Sequence, residues 1–100
     1  MIKSELIKKL CDKQVHLTEK DITLSVNLII EKMIERLSQG GRIEIRDFGN
    51  FSLHYRRPRI AHNPKTGKKI LTKPKYAVYF KAGKGIKDRV NKNSHLPIQS

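Results

Sequence analysis

Apolar residues recur at two spacings along this chain, and each spacing predicts an element. Leu6, Ile7, Leu10 and Cys11 fall on one face at helical spacing. They predict a helix over residues 3–14, begun by Lys3 or Ser4, with Glu5 in the first turn where the helix dipole favours an acid. Val15-His16-Leu17 links it to a second helix. Thr18-Glu19-Lys20-Asp21 resembles a capping box, with Thr18 as N-cap and Asp21 three positions on. Ile22, Val26, Ile29, Ile30, Met33 and Leu37 then form one stripe that runs to Ser38 or Gln39, and Gly40-Gly41 supplies the stop. Leu28 and Ile34 widen the stripe beyond what one short helix covers, so part of it is expected to face a second subunit.

The period then becomes two. Ile43 and Ile45 alternate with Arg42, Glu44 and Arg46, which predicts a strand with the isoleucines inward and the charges outward. Asp47-Phe48-Gly49-Asn50 reads as a turn with Phe48 as a core plug. Phe51, Leu53 and Tyr55 resume the alternation, and Tyr76, Val78 and Phe80 form the inward set of a return strand. Gly83 breaks that strand. Lys84 to Asn91 reads as a short helix anchored by Ile86 and Val90. Residues 1–91 form one domain, and residues 92–100, mostly polar and containing Pro97, read as a loose tail. The fold class is therefore α+β: two N-terminal helices, a three-stranded antiparallel sheet and a short C-terminal helix.

Between the two strands of the second hairpin, at about residues 55–75, the apolar pattern thins out. Asn63-Pro64-Lys65-Thr66-Gly67 is turn chemistry at the midpoint, because proline fixes φ and glycine permits positive φ. The stretch predicts a long hairpin that leaves its domain. From Arg56 to Pro64 an extended chain covers about 30 Å at about 3.3 Å per residue. That exceeds twice the radius of gyration of about 13 Å expected for a compact chain of this length. A bare two-stranded ribbon is marginal in water, so an arm of this kind needs a partner.

Charge identifies the partner's chemistry. The net charge is +13, and residues 52–75 hold eight Lys/Arg and no acid: Arg56, Arg57, Arg59, Lys65, Lys68, Lys69, Lys73 and Lys75. From Phe48 to Lys87 there are eleven Lys/Arg and no Asp or Glu, whereas eight of the nine acids precede Phe48. A basic half without acids points to a polyanion. With about 20 residues in a free arm, the remainder is small for an independent core, and a dimer is expected. Cys11 is the only cysteine, so no internal disulfide forms, and a reducing compartment is expected. The opening Met1-Ile2-Lys3-Ser4-Glu5 holds no apolar signal region and no run approaches 18 apolar residues, so a soluble intracellular protein is expected.

Catalysis and metal binding find no support. His16, His54, His62 and His95 have no Cys or acidic partners at ligand spacing. Ala82-Gly83-Lys84-Gly85 lacks the full phosphate-loop pattern. No acidic cluster lies in the basic half to hold Mg²⁺, and no nucleophile–base arrangement is legible. No cofactor is expected, and the chain does not read as an enzyme. A basic RNA-binding protein is the competing reading of the charge, but RNA readers stack bases on exposed aromatics, and none lies between Tyr55 and Tyr76.

A thin basic ribbon fits the narrow, strongly negative minor groove of duplex DNA. A rigid apolar wedge at its tip enters between base pairs and kinks the duplex. Pro64 suits that role, being stiff and without an N–H. Arg42, Arg46, Lys84 and Lys87 are candidates for phosphate contacts along the flanks, as are the backbone amides near Lys3 and Ser4 at the start of the first helix.

Several of these segments together resemble the bacterial histone-like DNA-bending family, the HU and integration host factor group. They are Arg42-Ile43-Glu44-Ile45-Arg46, Phe48-Gly49-Asn50-Phe51, Asn63-Pro64-Lys65-Thr66-Gly67, and Phe80-Lys81 before Gly83-Lys84. Lys3-Ser4-Glu5-Leu6-Ile7 and Ser52-Leu53-His54-Tyr55-Arg56 resemble its beta-subunit branch most. The resemblance implies an intertwined dimer, either with the alpha subunit of integration host factor or, in the manner of HU, with itself. It implies an architectural protein of the bacterial nucleoid, in the cytoplasm, that binds double-stranded DNA through the minor groove and bends it in recombination, replication and transcription. It makes Pro64 the wedge, places Arg59, His62, Asn63 and Lys65 along the arm, and gives Arg46, positioned by Glu44, a part in sequence preference.

Overall fold

The computed structural model describes residues 1–99; Ser100, the end of the expected tail, lies outside the described residues. Helix α1 spans Lys3–Lys13 and α2 spans Glu19–Ser38. The strands are β1 (Ile43–Ile45), β2 (Gly49–Arg56), β3 (Ile60–His62), β4 (Lys69–Leu71) and β5 (Lys75–Ala82), and α3 (Lys84–Lys92) closes the domain. All pairings are antiparallel: β1, β2 and β5 form one sheet in that order, and β3 and β4 form a two-stranded ribbon.

Local chemistry sets both ends of α2. The Thr18 hydroxyl accepts from the Asp21 amide at 3.1 Å, satisfying one of the free donors of the first turn. At the other end Gly40 adopts φ 84°. This lets its amide donate to the Leu37 carbonyl and the Gly41 amide to the Arg36 carbonyl, both at 3.0 Å. These two bonds make a Schellman stop. Helix α1 begins after Ile2 without a side-chain cap, so the Lys3 and Ser4 amides stay open.

The core is small. Ile7 from α1 packs with Ile22 and Val26 from α2, and Leu10 and Cys11 lie against them. Among the described residues no side chain is fully buried. Accessible surface is 9454 Å², against about 5,800 Å² for a compact monomer of this mass. The expected stripe on α2 is covered only at its start. Ile29 is 61% exposed, and Leu28 and Ile34 are open as well. Phe48 does not plug a core. It stands 44% exposed, its ring 5.5 Å from that of Phe80, which in turn lies 4.8 Å from Phe51. Tyr76, Val78 and Phe80 share a face as the alternation predicts, yet all are exposed in the single chain. Ile34, Leu37, Leu53, Tyr76 and Val78 line one open hollow between α2 and the sheet. An apolar face of this extent is the part of the core that a second chain completes.

Helix α3 is docked through its backbone and through half-buried Ile86, one of the expected pair Ile86 and Val90. Val90 is exposed; the Ile86 amide donates to the Asp47 carbonyl at 2.9 Å, and the Gly83 amide to the Phe48 carbonyl at 2.9 Å. Asn93 to Leu96 continue as turns bonded to the end of that helix. Two residues of the β1–β2 turn are under opposite constraints. Asp47 sits at φ 65°, a region that disfavours L side chains. At buried Gly49, an added Cβ would lie 2.6 Å from the Lys81 carbonyl oxygen and closer still to the Phe80 ring. Asp47→Gly is expected to raise stability by roughly 0.5–1 kcal/mol, and Gly49→Ala to lower it by about 1–3 kcal/mol. Urea unfolding at one fixed protein concentration checks both; a stabilised Gly49→Ala would contradict the packing described.

Candidate nucleic-acid interface

The hairpin predicted to leave the domain does so. The radius of gyration is 19.3 Å and the molecule measures 60 × 37 × 28 Å. Pairing of β2 with β5 runs from Gly49↔Ala82 to Arg56↔Lys75, and pairing of β3 with β4 from Ile60↔Leu71 to His62↔Lys69. Three residues on each strand separate the two ladders, so the register is unchanged across the gap. Pro58 and Pro74 stand in that gap on opposite strands. Neither carries an N–H, which explains the break in the ladder without a bulge. Arg59 and Thr72 bridge it: the Arg59 amide donates to the Thr72 hydroxyl at 2.9 Å and the Thr72 amide to the Arg59 carbonyl at 2.8 Å.

The tip is a tightly bonded loop. The Asn63 amide donates to the Lys68 carbonyl at 2.9 Å, and the Gly67 amide to the Asn63 carbonyl at 2.7 Å. The Asn63 side-chain oxygen accepts from the Lys65 amide at 2.9 Å, and Gly67 takes φ 68°. Pro64 therefore projects from a braced apex and is exposed. Lys65 and Lys68 flank it, and His62 faces Lys69 across the last pair of the ladder.

Where the arm leaves the sheet, Arg56, Arg57, Arg59, Lys73 and Lys75 converge with Tyr55 and Thr72 around one hollow. No carboxylate lines it. Five cations, from the end of β2 to the start of β3 and from the end of β4 to the start of β5, surround this hollow, and the geometry suits the oxygens of a phosphate chain.

A second recess lies at the start of α3, lined by Arg46, Asp47, Phe48, Lys84, Gly85, Ile86, Asp88 and Arg89. The helix starts at Gly83 without a side-chain cap; the Asp47 carbonyl takes the Ile86 amide, which leaves the Lys84 and Gly85 amides to meet an anion. Arg46 and Lys84 are brought together at this recess, whereas Lys87 lies on another face beside Ala82 and Val90. Glu44 does not position Arg46. Its carboxylate pairs with Arg42, two residues back on the same outward side of the strand. Both side chains are more than half exposed, so the pair contributes little to stability. Lys3 is partly tied down, its amine donating to the Asn27 side chain at 2.9 Å, and Ser4 is exposed beside it.

Four residues of the basic surface were not singled out by the sequence. Lys81 and Tyr79 occupy outward positions of β5, opposite Asn50 and Ser52, and His54 stacks on Tyr79 with ring centroids 4.7 Å apart. Their period-two spacing with Lys75 was the available signal. Arg89 joins Arg46 at the α3 recess. It lies one helical turn beyond Gly85, a spacing that only the docked helix makes relevant.

The comparisons agree with this architecture. The family described as "Bacterial DNA-binding protein" matches residues 1–91. The integration host factor subunit beta of Alkalilimnicola ehrlichii is 54% identical over 100 residues, covering 100% of both chains. That of Pseudomonas entomophila is 48% identical over 97 residues, covering 97% of this chain and 99% of that one. Among solved structures, Anabaena HU in a cocrystal with DNA superposes with a TM-score of 0.80 at 30% identity, covering 90% of this chain and 97% of that chain. An HU variant from Thermotoga maritima gives 0.63 at 28% identity, covering 90% and 99%.

Proposed function

The chain belongs to the bacterial DNA-binding protein family of HU and integration host factor type, and from that membership we propose that it bends double-stranded DNA. The two-stranded arm lies along the minor groove, and Pro64 wedges between base pairs at the tip. The carrying observation is the arm itself: one unbroken register ending in an exposed proline on a braced loop, with cations on both strands. Minor-groove insertion of an apolar wedge costs a few kcal/mol in lost stacking, which extra phosphate contacts along the flanks offset. The flanks here are the five-cation hollow at the arm base and the open start of α3 with Arg46, Lys84 and Arg89.

The protein functions as a dimer. The apolar face formed by α2 and the inward side of β2 and β5 receives a second subunit, the alpha subunit of integration host factor or another copy of this chain. The two arms then project from one assembly. The setting proposed is the bacterial nucleoid, in recombination, replication and transcription. No helix among the described residues is long and apolar enough to cross a membrane.

Three outcomes are expected. Pro64→Ala should reduce energy transfer between labelled duplex ends far more than it raises Kd; an unchanged bend would refute the wedge. Arg56→Ala and Lys75→Ala should each shrink the log–log salt dependence of binding by about 0.9 for every phosphate that is no longer neutralised, with a wild-type slope near zero contradicting the charge argument. Ile34→Glu places a charge in the middle of the apolar face and should shift the assembly toward monomer in sedimentation equilibrium, as burial of an unpaired carboxylate is costly.

A further inference from the structure

Beyond the sheet the arm has no core to stiffen it. From Tyr55 to Tyr76 every residue is exposed except Ala61, Asn63 and Thr72, which are half-buried. Asn63 braces the tip through its side-chain oxygen. Thr72 stands at the proline gap, opposite Arg59 in the register that continues from Arg56↔Lys75 to Ile60↔Leu71. We propose that Thr72 is a positioning residue for DNA bending. Its hydroxyl latches the β3–β4 ribbon to the sheet and so fixes where the Pro64 wedge meets the duplex. The proposal rests on the reading of Pro64 as the wedge.

Facing residues of a hydrogen-bonded antiparallel pair normally exchange both N–H···O=C bonds. Arg59 and Thr72 make one of these with their backbones: the Thr72 amide donates to the Arg59 carbonyl at 2.8 Å. The return bond from the Arg59 amide goes to the Thr72 hydroxyl, at 2.9 Å, and not to the Thr72 carbonyl. A side chain thus takes the place of a main-chain acceptor in the ladder. Two positions on, Pro74 faces Arg57 and has no N–H to donate. Among the described residues, the two bonds between Arg59 and Thr72 are the hydrogen bonds that cross the gap. A branched Cβ restricts the rotamers of Thr72, so the acceptor is in place before any duplex arrives.

Leverage makes this bond matter at the tip. From Arg59 to Pro64 an extended chain covers about 17 Å at about 3.3 Å per residue. A swing of about 12° at the gap therefore moves Pro64 by about 3.5 Å, close to the rise of one base step, about 3.4 Å. A wedge that wanders by one step has no single place to enter the stack. Cations spread along the arm still find phosphates, because backbone charge repeats at every step. The latch therefore governs the bend more than the affinity.

Energy transfer between labelled duplex ends, read on single complexes of the intact dimer, tests this. Thr72→Val keeps the side-chain shape and removes the acceptor. It should lower and broaden the transfer distribution while Kd rises by no more than about fivefold, the effect of one lost hydrogen bond, and the salt slope stays as it was. Thr72→Ser returns the acceptor and should restore most of the wild-type distribution. In a Pro64→Ala background, Thr72→Val should change the bend little further, because it acts through the wedge. In the free protein the Arg59 amide should exchange more slowly than its random-coil rate, and about fivefold faster in Thr72→Val than in the wild type. An unprotected Arg59 amide in the wild type, an unchanged distribution in Thr72→Val, no recovery in Thr72→Ser, or an equal loss of bend with and without Pro64 would each overturn the proposal. So would a raised Kd with unchanged exchange at Arg59, which would make Thr72 a plain phosphate contact in the hollow it lines. A Pro64→Ala dimer that bends DNA as the wild type does would instead overturn the wedge reading beneath it. Thr72 lies outside the core, and the wild-type exchange measurement needs no variant.

Discussion

The arm depends on a single strand register held from the body of the sheet to the tip. Gly49 pairs with Ala82 at one end and His62 with Lys69 at the other, and neither strand gains a residue between them. A one-residue slip would exchange the two faces of the sheet, placing Leu53 and Tyr55 where His54 and Arg56 now stand. Bulky neighbours oppose that slip at the base, where Phe80 closes over Gly49. At the tip the Asn63 and Gly67 turn bonds oppose it. Pro58 and Pro74 interrupt the ladder between these two anchors, and the Arg59–Thr72 pair of bonds carries the register across.

Period two along β2 and β5 also separates the two partners. One side of the sheet presents Phe51, Leu53, Val78 and Phe80 toward α2 and the open apolar hollow; the other presents His54, Arg56, Tyr79 and Lys81 to solvent. The apolar face and the basic face therefore lie on opposite sides of β2 and β5 and do not compete for surface. The small core follows from the same allocation. Residues committed to the arm bury nothing within the chain, and among the described residues only Ile7, Ile22 and Val26 are buried side chains of the interior. Tertiary stability thus depends on what covers the exposed half of α2.

Much of this was legible in the sequence because it is written in short-range chemistry. Helical spacing placed α1 and α2 to within a residue or two, Thr18 and Gly40-Gly41 marked the ends of α2, and Asn63-Pro64-Lys65-Thr66-Gly67 marked the tip. Failures concern interactions that spacing does not encode. Phe48, Val90 and the inward aromatics are apolar, so periodicity sent them inside, whereas the single chain leaves them open for a partner or dispensable. Glu44 stands equally near Arg42 and Arg46 in sequence, and nothing short of side-chain geometry decides that Arg42 takes it. Arg89 joins the basic surface only because α3 docks through the Asp47 and Phe48 carbonyls, which are backbone bonds with no residue signature.

Charge at the arm base serves binding at the expense of the free fold. Arg56, Arg57, Arg59, Lys73 and Lys75 surround one hollow with no acid among them. Two unit charges about 8 Å apart repel by roughly 0.5 kcal/mol in water and more near a protein surface, so five together weigh on a ribbon that buries almost nothing. A structural role would have been served better by alternating signs, as cross-strand pairs of opposite charge favour a hairpin. The surface instead concentrates one sign where the ladder is weakest. Neutralisation of these charges by a polyanion would remove that repulsion and add attraction in the same step. Salt acts on both parts in opposite directions, relaxing the free arm while weakening its hold on the duplex. The absence of acids over this stretch is therefore intelligible only with the polyanion in place.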